Sequence, residues 1–141
     1  MQEYKSIAFD TIEDVLFVVH YTPQPDDADW AELTKFTDTL KGLSAFVVFT
    51  FGATVSANQR KDMTNLSDRF GHTLCLLTDS RMTRGMLTAL SWFGVKVGAY
   101  GPEDLKAALA DCDRSHLHDR ILKHAKNSLD KARAAEAARG A

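Results

Sequence analysis

Long apolar runs, paired cysteines and signature glycine loops are what this sequence has little of, and each absence excludes something. No apolar stretch approaches the roughly 20 residues a membrane-spanning helix needs. The opening "MQEYKSIAFD" has neither the basic start nor the long apolar segment of a secretory signal. No membrane span and a cytoplasmic location are therefore expected. The only two cysteines, Cys75 and Cys112, lie far apart along the chain, with Cys75 inside an apolar run. That usage suits a reducing compartment better than a disulfide framework. Phosphate-cradling P-loops, G-x-S-x-G elbows and G-x-G-x-x-G fingerprints are missing from the sequence. Enzymatic activity and a bound cofactor are accordingly not expected.

Charge is present but unevenly spread. The net charge is −2, yet residues from Arg114 onward hold seven basic against three acidic side chains, a balance of +4 that leaves −6 for residues 1–113. An acidic body with a sequence pI near 6.2 argues against a broad nucleic-acid footprint. Only the basic tail has the charge for one. With 141 residues, 45% hydrophobic and 26% charged, the chain suits one globular domain. A chain of this size buries roughly 68 to 70% of its unfolded surface.

Hydrophobic spacing predicts the elements. "YKSIAFD" alternates and "DVLFVVHYT" is nearly all apolar, with "TIED" as the turn of an antiparallel pair. After Pro23 and Pro25, acids crowd a predicted helix start, and Trp30, Leu33, Phe36 and Leu40 recur at helical spacing until Gly42. "SAFVVFTF" reads as a strand buried on both faces. Next comes a helix with a capping box, Ser56 to Gln59, an apolar face of Met63, Leu66 and Phe70, and Gly71 as its stop. "TLCLLTD" repeats the strand pattern, followed by a helix from about Arg81 to Trp92 and a shorter strand, "VKVGAY". Gly101 and Pro102 are expected to open the next helix. From Ser115, the apolar stripe Leu117, Ile121, Ala125 and Leu129 predicts a long last helix that frays through "AAEAARGA". The expected fold class is α/β: one mixed sheet of about four or five strands in the order ββαβαβαβα, with a C-terminal helix. Residues 1–113 would form the domain and 114–141 a basic helical extension.

This order, ending on "GVKVGAYGPEDLKAALADC", resembles the STAS superfamily of anti-sigma-factor antagonist and sulfate-transporter domains over about residues 4–112. The resemblance implies a mixed sheet flanked by helices, acting in bacteria as a regulatory binding module rather than an enzyme. STAS regulators carry a phosphorylatable Ser or Thr in an acidic, Ser, Ser/Thr, Gly pattern at the helix start after the third strand. Here that segment reads Gly52, Ala53, Thr54, Val55, Ser56, Ala57, Asn58, without the acidic residue or the following glycine. Ser56 is the positional match, which makes it the candidate phosphoacceptor. The final basic helix has no counterpart in the minimal domain.

Ligands of open α/β sheets gather outside the carboxyl ends of the strands, beside helix N-termini. The polar turns after the third and fourth predicted strands, "FGATVSANQR" and "TDSRMTRG", belong there. Thr54, Ser56, Asn58, Ser80, Arg81, Thr83 and Arg84 would share one edge if those strands are neighbours. Capping alone accounts for Ser56 and for Asp79 or Ser80. It does not account for Arg81 and Arg84, because positive charge in a first turn opposes the helix dipole. A protein partner is therefore expected at this edge, with a homodimer through the last helix. The alternative is a carrier or sensor of a lipid or nucleotide, its pocket walled by Met82, Met86, Leu87, Leu90, Trp92 and Phe93. Core packing explains the same stripe.

The remaining polar groups have plainer readings. Asp26, Asp27 and Asp29 suit a helix start without any calcium-loop spacing. His116, His118 and His124 lack the i, i+4 spacing of helical metal ligands, so no metal is expected and a solvated surface is. His20 ends an apolar strand and reads as a satisfied buried histidine, and Cys75 as core.

Overall fold

Six strands form one mixed sheet in strictly sequential order: β1 (Gln2–Glu3), β2 (Ile7–Ile12), β3 (Val15–His20), β4 (Ala45–Phe49), β5 (Thr73–Leu77) and β6 (Lys96–Tyr100). The computed structural model describes residues 1–78, 88, 91, 92 and 94–140. The first three strands are antiparallel, and β3 to β6 run parallel. Among the described residues, the helices bounded at both ends are α1 (Asp27–Asp38), α2 (Ala57–Phe70), α3 (Leu105–Asp111) and α4 (His118–Gly140), with a 3-10 turn at Ser115–Leu117 before the last. The fold is thus α/β as expected, with one strand more than the upper expectation.

The central strands form because their residues are apolar on both faces, and both faces are covered. Leu16 and Val18 of β3, Phe46 and Val48 of β4, and Leu74 and Leu76 of β5 pack with Trp30 and Leu33 of α1 and Met63 and Leu66 of α2. The alternate residues, Phe17, Val19, Val47, Phe49, Cys75 and Leu77, pack with Leu105 and Leu109 of α3 and with Leu117, Ile121, Ala125, Leu129 and Ala132. Period-two alternation sends each set to its own layer.

Several elements differ from expectation. β1 lies on the outer edge, with Gln2 opposite Phe9 and Glu3 opposite Ala8. Two exposed residues have no periodicity, and their position depends on Tyr4 stacking on Phe9 at 5.5 Å and on Glu3 accepting from Tyr21 and Ser128. The hairpin between β2 and β3 turns on Glu13 and Asp14 alone rather than on "TIED", with Glu13 at φ 52°. α1 ends at Asp38, with Thr39 as C-cap, instead of continuing to Gly42. α3 starts after Asp104, two residues beyond Pro102.

The last helix does not fray. It continues to Gly140, with Ala132 fully buried and Arg139 donating to the Tyr21 carbonyl at 2.9 Å and the Phe51 carbonyl at 3.2 Å. Its apolar stripe is covered by its own sheet, so the reason for expecting a homodimer through this helix is gone. At its start, Arg114 forks onto Asp14 at 2.9 and 2.7 Å and reaches Ser44 at 2.9 Å. That fork holds the Asp14 carboxyl well below the usual carboxylate range. The expected helix from about Arg81 to Trp92 falls mostly outside the described residues; residues 88, 91 and 92 are helical, and Trp92 is 81% exposed. Met82, Met86, Leu87, Leu90 and Phe93 also lie outside them. No helix among the described residues is long and apolar enough to cross a membrane.

Candidate functional site at the carboxyl rim

Parallel pairing aligns the carboxyl ends of four strands: Val19 of β3 lies opposite Phe49, Phe49 opposite Leu77, and Leu77 opposite Tyr100. The connections leaving β3, β4, β5 and β6 therefore start along one rim. The Thr50 N–H donates to the Leu77 carbonyl at 3.2 Å and the Thr78 N–H to the Tyr100 carbonyl at 2.8 Å, so pairing extends one residue past the strands. The segments holding Thr54, Ser56 and Asn58 and holding Ser80, Arg81, Thr83 and Arg84 thus leave from adjacent strand ends. Ser80, Arg81, Thr83 and Arg84 themselves lie outside the described residues, as does Asp79.

On the α1 and α2 side, the rim is cross-braced. Ser56 caps α2: its Oγ accepts from the Gln59 N–H at 3.2 Å, while Gln59 Oε1 accepts from the Ser56 N–H at 2.9 Å. The fully buried Gln59 also donates through Nε2 to the Pro25 carbonyl at 3.0 Å. The Thr54 N–H donates to Pro23 at 2.8 Å, and Arg60 reaches back to the Val55 carbonyl at 3.0 Å. Ser56 is half-buried and Asn58 exposed. The capping expectation for Ser56 therefore holds in full, and its hydroxyl is engaged in that role.

On the α4 side, the rim opens into a cavity of about 530 Å³ lined by Phe49, Phe51, Leu77, Thr78, Pro102, Glu103, Arg133, Glu136, Ala137 and Gly140. Phe51 turns there at φ 45°, a left-handed conformation that is uncommon for a bulky residue, before Gly52 at φ 77°. The Arg133 guanidinium stands 6.0 Å from the Phe51 ring and 3.7 Å from Glu103. An apolar floor with two carboxylates and a guanidinium at its mouth suits a ligand that is apolar at one end and polar at the other. Sequence reading missed Phe51, Glu103, Arg133, Glu136 and Arg139. Arg133, Glu136, Ala137 and Gly140 share a helical face by spacing, but only tertiary packing brings that face to this rim.

His20, at the end of β3, is buried as expected but not satisfied: its Nδ1 has no hydrogen-bond partner among the described residues. Burial alone pulls its pKa down to about 4. His72 has the same unpartnered Nδ1 and the same burial-driven depression to about 4, its ring stacked 6.2 Å from Phe46. Asp29 accepts from both the N–H and Oγ of Ser6, which is a structural use of one acid in the expected helix-start group. The tail histidines face acids of the sheet and its hairpin or of their own helix: His116 lies 3.8 Å from Glu13, His118 2.9 Å from Asp119, and His124 2.7 Å from Asp10. Among the described residues, no three His, Cys, Asp or Glu side chains are grouped to hold a metal ion.

No protein-family model and no curated protein matches this chain.

Proposed function

We propose that the chain is a non-enzymatic, cytoplasmic regulatory module of STAS type that binds a protein partner at the loops following β4 and β5. The observation that supports this reading is the parallel, in-register pairing of those two strands, with Phe49 opposite Leu77 and the ladder extended by Thr50. Two polar segments leave the sheet side by side, one containing Thr54, Ser56 and Asn58 and the other Ser80, Arg81, Thr83 and Arg84. The two arginines of the second segment favour an acidic partner surface. Ser56 is the phosphoacceptor in this reading; phosphorylation would add negative charge at the start of α2, where the helix dipole favours it. The acidic body of the chain makes nucleic acid a poor partner. A homodimer through the last helix is not part of the proposal, because the stripe that motivated it is occupied within the chain.

A pull-down from the native cell tests the surface directly. The wild-type chain is expected to retain a partner that the Arg81→Glu, Arg84→Glu variant loses, while Lys61→Glu, on the exposed flank of α2, retains it. Equal recovery by the Arg81 and Arg84 variant would sink the reading.

A second reading, a carrier or sensor of a small amphipathic ligand such as a lipid or nucleotide, is favoured by one observation. The rim cavity of about 530 Å³ falls in the range of small-molecule sites, roughly 300 to 1,000 Å³. Native mass spectrometry of freshly purified protein separates the two. A co-purifying small molecule, lost on Arg133→Ala, supports the carrier, and bare protein leaves the interaction module ahead.

A further inference from the structure

The two cysteines, remote in sequence, meet in the fold. Cys75 sits in the middle of β5 and is fully buried, facing α3; Cys112 caps the C-terminal end of α3 and is half-buried. Their sulfurs lie 3.6 Å apart, both free thiols. A disulfide holds its sulfurs about 2.05 Å apart, so the pair is about 1.5 Å short of bonding. Cys75 packs in the core beneath α3 with Cys112 against it, and besides Cys112 its thiol has a 4.0 Å contact to the Ala108 carbonyl. Burial, together with Cys112 and the Asp111 carboxylate, pushes the Cys75 thiol up, so in the reduced protein it is neutral and inert.

We propose that Cys75 and Cys112 form a thiol–disulfide modification site, in which a low-molecular-weight disulfide oxidises the pair to an internal cross-link between β5 and α3. The order of events follows from exposure. The Cys112 thiolate, the accessible sulfur, attacks the external disulfide RSSR, forming Cys112–S–SR and releasing one RS⁻. Cys75 then attacks the Cys112 sulfur, its proton passing to the departing sulfur, so that the mixed disulfide breaks and the second group leaves as RSH. Two protein thiols are oxidised and one RSSR is reduced to two thiols, so atoms and electrons balance. Cys75 cannot go first, because no external disulfide reaches a sulfur that is fully buried. The cross-link closes a loop that contains Ser80, Arg81, Thr83 and Arg84. Oxidation thereby restrains the segment carrying the arginines, although the chemistry of the pair does not depend on what that segment binds.

The test uses the full-length reduced chain and glutathione disulfide as the probe, read by intact mass and by alkylation of remaining thiols. Wild type is expected to lose two hydrogens, retain no glutathione and accept no alkylating agent. Cys75→Ala is expected to stop at the mixed disulfide with one glutathione on Cys112, and Cys112→Ser to stay unmodified. The oxidised wild type should melt higher, by roughly 7 to 13 °C for a loop of this size. A stable glutathione adduct on wild-type Cys112, a cross-link between two chains in place of the internal one, or a lower melting temperature after oxidation would each overturn the proposal. The wild-type readouts do not depend on whether either variant folds.

Discussion

His20 and His72 are buried side chains whose charged form the native state does not accommodate. Both have an ordinary value of 6.5 and are held at about 4 by burial. Between those two values the unfolded chain binds protons that the native chain refuses. Stability is therefore fully present above pH 6.5 and is lost as pH falls toward 4. At pH 5 each histidine should cost about 2 kcal/mol relative to pH 7, given about 1.4 kcal/mol per tenfold change in proton binding. Urea denaturation at pH 7 and pH 5 measures this, and a His20→Asn, His72→Phe double variant should show a nearly flat profile over that window. An unchanged slope in the double variant would show that other groups carry the acid sensitivity. The carboxylates do not confuse the reading. Glu3, Asp10 and Asp14 have pKa values lowered from 4.5, 3.8 and 3.8, so the stability they contribute is lost only as pH falls below that range.

At the scale of the element, α2 shows how a local rule and a candidate site coincide. Ser56→Ala removes the acceptor for the Gln59 N–H and unmakes the capping box, at a cost of about 1 kcal/mol. Ser56→Asn, another good cap, should recover most of it. Chemical denaturation of the two variants checks the stability side. Partner recovery in the pull-down then shows whether the serine has a second role, since Ser56→Asn keeps the cap but cannot be phosphorylated. α2 was legible in the sequence because each of its signals is local: Ser56, Gln59, the Met63, Leu66 and Phe70 face, and Gly71 in the left-handed conformation at φ 62°. The strands β3, β4 and β5 were legible because their apolar runs answer to burial on both faces. β1 was not, because two exposed residues become a strand only through partners arriving from elsewhere, Phe9 under Tyr4 and Tyr21 and Ser128 on Glu3. The start of α3 was misplaced for a similar reason, Gly101 and Pro102 being good opening residues used as a turn before Asp104. Of the candidate rim, the segment after β4 could be placed from strand order, whereas the one after β5 lies mostly outside the described residues. The contribution of Arg133 and Arg139, and the meeting of Cys75 with Cys112, depend on how α3 and α4 cross the sheet, which no local pattern encodes.

For the whole molecule, the question is whether residues 114–141 are an appendage or part of the core. α4 and the 3-10 turn before it cover the sheet face that displays Ala8, Phe17, Val19 and Tyr21, and bury Leu117, Ile121 and Leu129 in return. Each large apolar side chain removed from water contributes about 1.5 to 3 kcal/mol, so the leucines and isoleucine of the last segment alone supply several kcal/mol, before the uncovered sheet residues are counted. A domain of this size has about 5 to 15 kcal/mol in total. Polar ties add to the same junction: the Arg114 fork onto Asp14, Arg120 on Glu13 at 2.7 Å, Ser128 on Glu3, and Arg139 on the carbonyls of Tyr21 and Phe51. A chain ending at Asp113 is therefore expected to lose cooperative thermal unfolding, bind a hydrophobic dye and sediment as aggregate. The full-length chain, its stripe already covered, is expected to sediment as a monomer. A truncated chain that stayed monomeric and melted cooperatively within a few degrees of full length would instead make the helix a detachable cover over that face, because burial at this scale would then contribute far less than its area implies.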